Sequence, residues 1–178
     1  QYIAGNDELS QYDAAGRLTS ITSRSGLTQT VTYDTNGRLS AVVDPFGRQL
    51  SFSYGPDGML GAIADSQGHT YAYAYNANGD LASVTFSDQS VRTYLYELTG
   101  PTPPDARHLL TGIVDENGQR FATYQYDANG RLSAEENAGQ ANSRTITYTL
   151  DGNNEIVTAS VTDAVGTART YSFATTNG

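Results

Sequence analysis

The chain has 178 residues, 38% hydrophobic and 16% charged, which is enough to bury a core but poorer in both classes than an ordinary soluble domain. A net charge of −9 argues against a nucleic-acid partner held through phosphates, and no apolar run is long enough for a membrane-spanning helix. With no cysteine there are no disulfides, thiol chemistry or cysteine-bound metals, while 18 Gly and 13 Tyr, with abundant Thr, favour strands and turns.

Along the chain, one phrase recurs. It reads Tyr12-Asp13-Ala14-Ala15-Gly16-Arg17-Leu18, then Tyr33-Asp34-Thr35-Asn36-Gly37-Arg38-Leu39. Weaker copies keep the frame at Tyr54-Gly55-Pro56-Asp57-Gly58-Met59-Leu60 and Tyr75-Asn76-Ala77-Asn78-Gly79-Asp80-Leu81, and a strong one returns at Tyr126-Asp127-Ala128-Asn129-Gly130-Arg131-Leu132. The tyrosines at 12, 33, 54, 75 and 96 are each 21 residues apart; the interval then widens to 30 at Tyr126 and falls to 22 at Tyr148. Phe173 takes the tyrosine's place in a last, stretched copy. A second phrase, Asp-x-x-Gly, lies between: Asp44-Pro45-Phe46-Gly47, Asp65-Ser66-Gln67-Gly68 and Asp115-Glu116-Asn117-Gly118. Gly5, Gly26, Gly47 and Gly68 each stand seven residues before the next tyrosine.

Each repeat thus holds two turn signals and two strand-like runs. Tyr71, Tyr73 and Tyr75 alternate with alanines, Phe52 and Tyr54 with serines, so period two puts the rings on one sheet face. Asn-Gly at 36, 78, 117 and 129 supplies glycines able to take positive φ. We expect an all-β fold: antiparallel hairpins in tandem, extending one continuous twisted, spiralling sheet, with no helix of ordinary length. The whole chain, 1–178, then forms a single array of about seven to eight repeats with a period near 21. Leu18 and Ile21, like Leu39 and Val42, are three apart, which places two strand residues on opposite faces. Either a bulge intervenes or the leucine belongs to the turn; we expect the second. Residues 97–108, with Pro101, Pro103 and Pro104, are expected to be a loop inserted into the repeat, because proline cannot donate to a ladder. A smaller insertion of about four residues is expected between Gly152 and Ser160.

These phrases resemble the YD repeat of the RHS/YD-repeat family, over nearly the whole chain. The family includes bacterial RHS toxins, the B and C subunits of insecticidal toxin complexes, and teneurin adhesion proteins. The resemblance implies a β-ribbon that spirals into a hollow shell, which in the toxins encloses a C-terminal effector. This chain holds far fewer repeats than such shells use, which implies a segment of a shell or a smaller open assembly, an open β-solenoid. Residue 1 falls inside a turn phrase and Gly178 stops inside another, which also suggests a segment, or a unit stacking end to end. The role implied is structural: wall of a secreted or cell-surface bacterial protein. The alternative is an extracellular fibre or adhesin binding glycans or another cell. Expected partners are flanking repeats or further copies through open sheet edges, an encapsulated toxin domain, or glycans; neither a cofactor nor catalysis is expected.

The candidate sites follow from the repeats. Asp13 with Arg17, Asp34 with Arg38 and Asp127 with Arg131 are spaced to meet across a turn, flanked by Tyr12, Tyr33 and Tyr126 and by Gly16, Gly37 and Gly130. The Asp is expected to cap turn N–H groups and the Arg to close over it or to stack on a tyrosine. A carboxylate present in every repeat is a poor catalyst candidate. RHS toxins carry an aspartic-protease-like core with a DPxG-containing motif, but Asp44-Pro45-Phe46-Gly47 sits early, in the ordinary turn frame, and is read as a turn. His69 and His108 are expected to be solvated, and Asp151-Gly152-Asn153-Asn154-Glu155 a polar turn rather than a calcium loop. The tyrosine face is expected chiefly to pack, with sugar stacking the lesser reading. The inserted loop, with Pro101, Pro103, Pro104, Asp105, Arg107 and His108, is the best candidate for a specific contact.

Overall fold

The computed structural model describes residues 2–4, 7–99 and 105–174. Gly5, Pro101, Pro103, Pro104 and Gly178, to which expectations attach, lie outside the described residues. The chain is all-β. Its strands are β1 (Tyr2–Ile3), β2 (Leu9–Tyr12), β3 (Leu18–Thr22), β4 (Thr28–Tyr33), β5 (Leu39–Val43), β6 (Gln49–Tyr54), β7 (Leu60–Asp65) and β8 (Thr70–Tyr75). They continue as β9 (Leu81–Thr85), β10 (Val91–Leu95), β11 (Gly112–Val114), β12 (Arg120–Tyr126), β13 (Leu132–Asn137), β14 (Ala141–Leu150), β15 (Ile156–Asp163) and β16 (Ala168–Ser172). Helical structure among the described residues is limited to single 3-10 turns at Ala106–His108 and Ala138–Gln140.

The chain divides into two compact units, residues 1–74 with 84–89, and residues 75–83 with 90–178. In the first, β1 to β8 pair antiparallel, each with its neighbours in the chain. In the second, β10 to β16 do the same.

The registers sort the side chains. In the first unit Val31 pairs with Val42, Val42 with Leu50, Phe52 with Ile63 and Ile63 with Tyr71, so the aromatic and branched residues share one face. The other face carries Thr30, Ala41, Ser51, Ala62 and Ala72 on its paired rungs. In the second unit the same alternation leaves hydroxyls opposite the aromatics: Thr145 pairs with Thr162, Thr147 with Ser160 and Thr149 with Thr158. A sheet of this kind has little depth. Among the described residues the buried apolar set is Val84, Ala106, Ala122 and Ala159, and no large side chain is fully enclosed. Stability therefore comes from nearest-neighbour ladders and hairpin joints rather than from a central core.

One expectation is corrected. The leucine after each turn belongs to the strand, and a bulge follows it: Tyr12 pairs with Leu18 while Gln11 pairs with Ser20. The same shift occurs at Tyr33 opposite Leu39 and at Tyr54 opposite Leu60. One extra residue reverses the alternation, so Leu18 and Ile21 reach the tyrosine face together despite their spacing of three. The extra residues near Gly152 to Ser160 lengthen a hairpin. The turn at Asp151 to Glu155 has the ordinary five-residue shape. Tyr148 instead pairs with Ala159, and the ladder continues through Thr149 with Thr158 and Leu150 with Ile156. The hairpin of β14 and β15 is simply longer than the others.

Candidate functional site

Every repeat turn is built in one way. Asp13 N–H donates to Arg17 O at 2.9 Å and Gly16 N–H to Asp13 O at 3.0 Å, with Gly16 at φ +79°. That is a type I turn closed by one left-handed residue. Asn36, Asn78, Asn117 and Asn129 keep a negative φ and only the glycine after each is left-handed. Asp34 and Asp127 head identical turns, and the second phrase folds the same way at Asp44, Asp65 and Asp115.

The first residue's carboxylate organises the turn. Asp34 Oδ1 accepts the N–H groups of Asn36 (2.9 Å) and Arg38 (2.8 Å), and its Oδ2 accepts Arg38 Nε at 2.8 Å. Asp13 does the same for Ala15 and Arg17, and Asp127 for Asn129 and Arg131. Thus oriented, each guanidinium lies over the tyrosine that ends the next hairpin: Arg17 over Tyr33 (4.7 Å), Arg38 over Tyr54 (4.3 Å) and Arg131 over Tyr148 (5.2 Å). That tyrosine's hydroxyl reaches back to the carbonyl of the leucine after the arginine, Tyr33 to Leu18 at 2.9 Å, Tyr54 to Leu39 and Tyr148 to Leu132 at 2.8 Å. Tyr96 bonds Leu81 O and Tyr126 bonds Leu110 O without an arginine. The result is a joint: Asp holds Arg, Arg covers the next ring, and that ring's hydroxyl ties the next hairpin to the strand behind it. Tyr54→Phe is expected to cost about 1 kcal/mol by leaving the Leu39 carbonyl without its donor, measured by urea unfolding.

The carboxylates titrate accordingly. The Arg17 backbone N–H foremost, then its side chain, holds Asp13 below the usual carboxylate range, and Arg38 does the same for Asp34. At Asp127 burial pushes upward, but the Arg131 N–H and guanidinium outweigh it and the net direction is down. A depressed folded pKa contributes stability that is complete above the unfolded value, about 3.9, and is lost as pH falls through the lower folded values. Thermal midpoints should therefore hold from neutral pH down to about pH 5 and drop below about pH 4. Asp34→Asn, whose amide oxygen still accepts the turn N–H bonds, should melt lower at neutral pH and show a shallower acid drop.

Both histidines are exposed, as expected, and each also has a carboxylate partner. His69 stands in the turn where Arg48 stands one repeat earlier, and its Nδ1 lies 2.8 Å from Asp65 Oδ2. His108 ends the 3-10 turn of the inserted segment, and its Nδ1 lies 2.7 Å from Asp80 Oδ1. Asp80 occupies the arginine position of its own turn, where Asn76 bonds it at 3.1 Å, and the segment adds a second partner from outside. The His108 hydrogen bond holds Asp80 below the usual carboxylate range. Arg107 Nε faces His108 Nε2 at 3.0 Å, and Asp105 carries a positive φ of 57°.

The excursion's base is clamped. Thr111, buried, donates its N–H to Leu95 O at 2.7 Å and places its hydroxyl 2.9 Å from Glu97 Oε2. Arg120 grips Glu97 with both terminal nitrogens at 3.1 and 2.8 Å and donates to Thr111 O at 2.8 Å. Gly112 leaves the space that the guanidinium fills. The repeat phrase does not signal this clamp, because its four members occur once each; Gly112 next to Thr111, outside any turn frame, was the only hint. Nor does the phrase signal the tyrosine hydroxyl bond, whose leucine stands fifteen residues before the tyrosine in some repeats and sixteen in others.

No curated protein matches this chain. Its fold is that of several solved toxin-complex chains. The TcdB2-TccC3-Cdc42 crystal structure aligns at TM-score 0.58 and 20% identity over 96% of this chain and 10% of that one. TcdB2-TccC3 without its hypervariable C-terminal region aligns at 0.59 and 19% over 96% and 10%. The Photorhabdus luminescens Tc holotoxin pore aligns at 0.57 and 18% over 93% and 9%. This chain spans about a tenth of the length of these relatives. The family model for the RHS Repeat matches residues 12–49, 33–70 and 105–141, more than half of the chain. With its hairpins, bulges and Asp–Arg–Tyr joints in that frame, the chain belongs to the RHS repeat family.

Proposed function

We propose that this chain is wall: one single array of seven to eight hairpin repeats, continuous as a twisted sheet, within a secreted or cell-surface bacterial protein whose shell encloses a toxin effector. The observation that carries this reading is the joint. The hydroxyl bonds of Tyr33, Tyr54, Tyr96, Tyr126 and Tyr148 each tie one hairpin to the strand behind, so hairpins can be added without a fixed end. The chemistry of the repeat supports a role without catalysis, since the recurrent carboxylates are engaged by turn N–H groups and guanidinium forks. The loop residues Asp105, Arg107 and His108, with Pro101, Pro103 and Pro104, are proposed as a contact surface of the wall. Electron cryomicroscopy of the parent protein tests the reading. A closed cage with density inside supports it; a filament of stacked copies overturns it in favour of a fibre or adhesin.

A further inference from the structure

Asn36, Asn78, Asn117 and Asn129 each precede a glycine, and each stands exposed at a turn. Such a peptide is chemically weak because glycine has no side chain to shield its nitrogen. The glycine nitrogen, losing its proton, bonds to asparagine Cγ. The Cγ–N bond to the side-chain nitrogen breaks, ammonia leaves carrying the proton, and a five-membered imide remains. Water then opens either ring C–N bond, yielding aspartate or isoaspartate; no other reactant enters.

The folded turn opposes the first step. The attacking nitrogens are occupied: Gly37 N–H donates to Asp34 O at 2.9 Å, and Gly79, Gly118 and Gly130 donate to Asn76, Asp115 and Asp127 O at 3.0 Å. Each asparagine's own N–H is held by the first turn residue, at 2.9 Å for Asn36, Asn78 and Asn129 and 3.0 Å for Asn117. Ring closure has to break these bonds, so its rate in the folded protein follows local opening of the turn.

The four turns are not held equally. At Asn36 and Asn129 the Arg38 and Arg131 forks hold the first residue's carboxylate and lie over the next hairpin's ring, so opening the turn disturbs a joint. At Asn117 the arginine position is Gln119, which contributes its backbone N–H, and the turn is tethered through Glu116 to Arg92 instead. At Asn78 the neutral Asn76 takes the place of the aspartate, bonded to Asp80 at 3.1 Å, and Asp80 is held in turn by the exposed His108 at 2.7 Å, so no guanidinium fork closes this turn or covers a ring. We propose that, of these four, Asn78 and Asn117 are the ones that deamidate spontaneously in the folded protein, and that arginine clasps shield Asn36 and Asn129. An isoaspartate puts one more atom into the backbone of the turn, so a modified hairpin cannot re-form its cap.

The test is a peptide map by mass spectrometry of the intact chain, aged in mildly alkaline buffer with and without urea. In native buffer Asn78 and Asn117 should convert at least roughly threefold faster than Asn36 and Asn129, about the effect of one hydrogen bond. In urea all four should be faster and should converge. Conversion of Asn36 or Asn129 as fast as Asn78 and Asn117 in native buffer overturns the proposal, as do rates unchanged by urea. Arg38→Ala, confirmed as folded by circular dichroism, should raise Asn36 alone towards the Asn117 rate; an unchanged rate also overturns it. If that variant does not fold, Arg38→Lys, which keeps the cation and loses the fork, gives the same comparison.

Discussion

Gly37→Val should lower the thermal midpoint far more than Arg38→Ala, although the two residues are adjacent in one turn. Gly37 sits at φ +79°, a region that a β-branched residue enters only with strain. A Cβ there would also stand 2.9 Å from Arg17 Nη1, the guanidinium that covers Tyr33. Valine thus strains its own turn and disturbs the preceding joint, together about 2–4 kcal/mol, or roughly 5–10 °C at this chain length. Arg38→Ala removes one half-buried ion pair and one cation–π contact, about 1 kcal/mol. A paired substitution separates the two causes. Gly16 has the same φ of +79° but nothing within 4 Å of its Cβ position. Gly16→Ala should therefore cost the backbone strain alone and Gly37→Ala more. Equal melting of Gly37→Val and Arg38→Ala would contradict the account.

Gly112→Ala is the second large effect, and here the backbone conformation is not the cause. The new Cβ would stand 2.5 Å from Arg120 Nη2 and 2.7 Å from its Cζ. The guanidinium would have to leave Glu97 and Thr111, so the excursion loses its clamp, at about 2–3 kcal/mol. Hydrogen exchange should report it locally, with faster exchange at the Thr111 amide that donates to Leu95. The decisive form is a double-mutant cycle. In an Arg120→Ala background the added methyl meets no guanidinium, so Gly112→Ala should be nearly neutral. Additive effects would show that Gly112 matters for another reason.

What was legible in the sequence was whatever repeats. A five-residue turn is a local object, and its Asp, Gly and Arg act within four residues of each other, so the spacing of Asp34, Gly37 and Arg38 carries the geometry. Period-two alternation likewise carries the face on which Phe52, Tyr54 and Tyr71 lie, because a strand allows only two faces. The bulge after Leu18 was ambiguous for a physical reason: a spacing of three fits either a bulge or a turn residue, and only pairing with β2 decides.

Composition and period by themselves determined an all-β chain of tandem hairpins with its glycines at the turns, because short-range sterics and side-chain alternation are written residue by residue. Tertiary structure alone decided the long contacts: the Tyr54 hydroxyl on Leu39, His108 on Asp80, and the grip of Arg120 on Glu97. These contacts bridge residues 15 to 28 apart, and which side chains meet over such separations depends on strand register and on the path of the inserted segment. No local pattern encodes either of these.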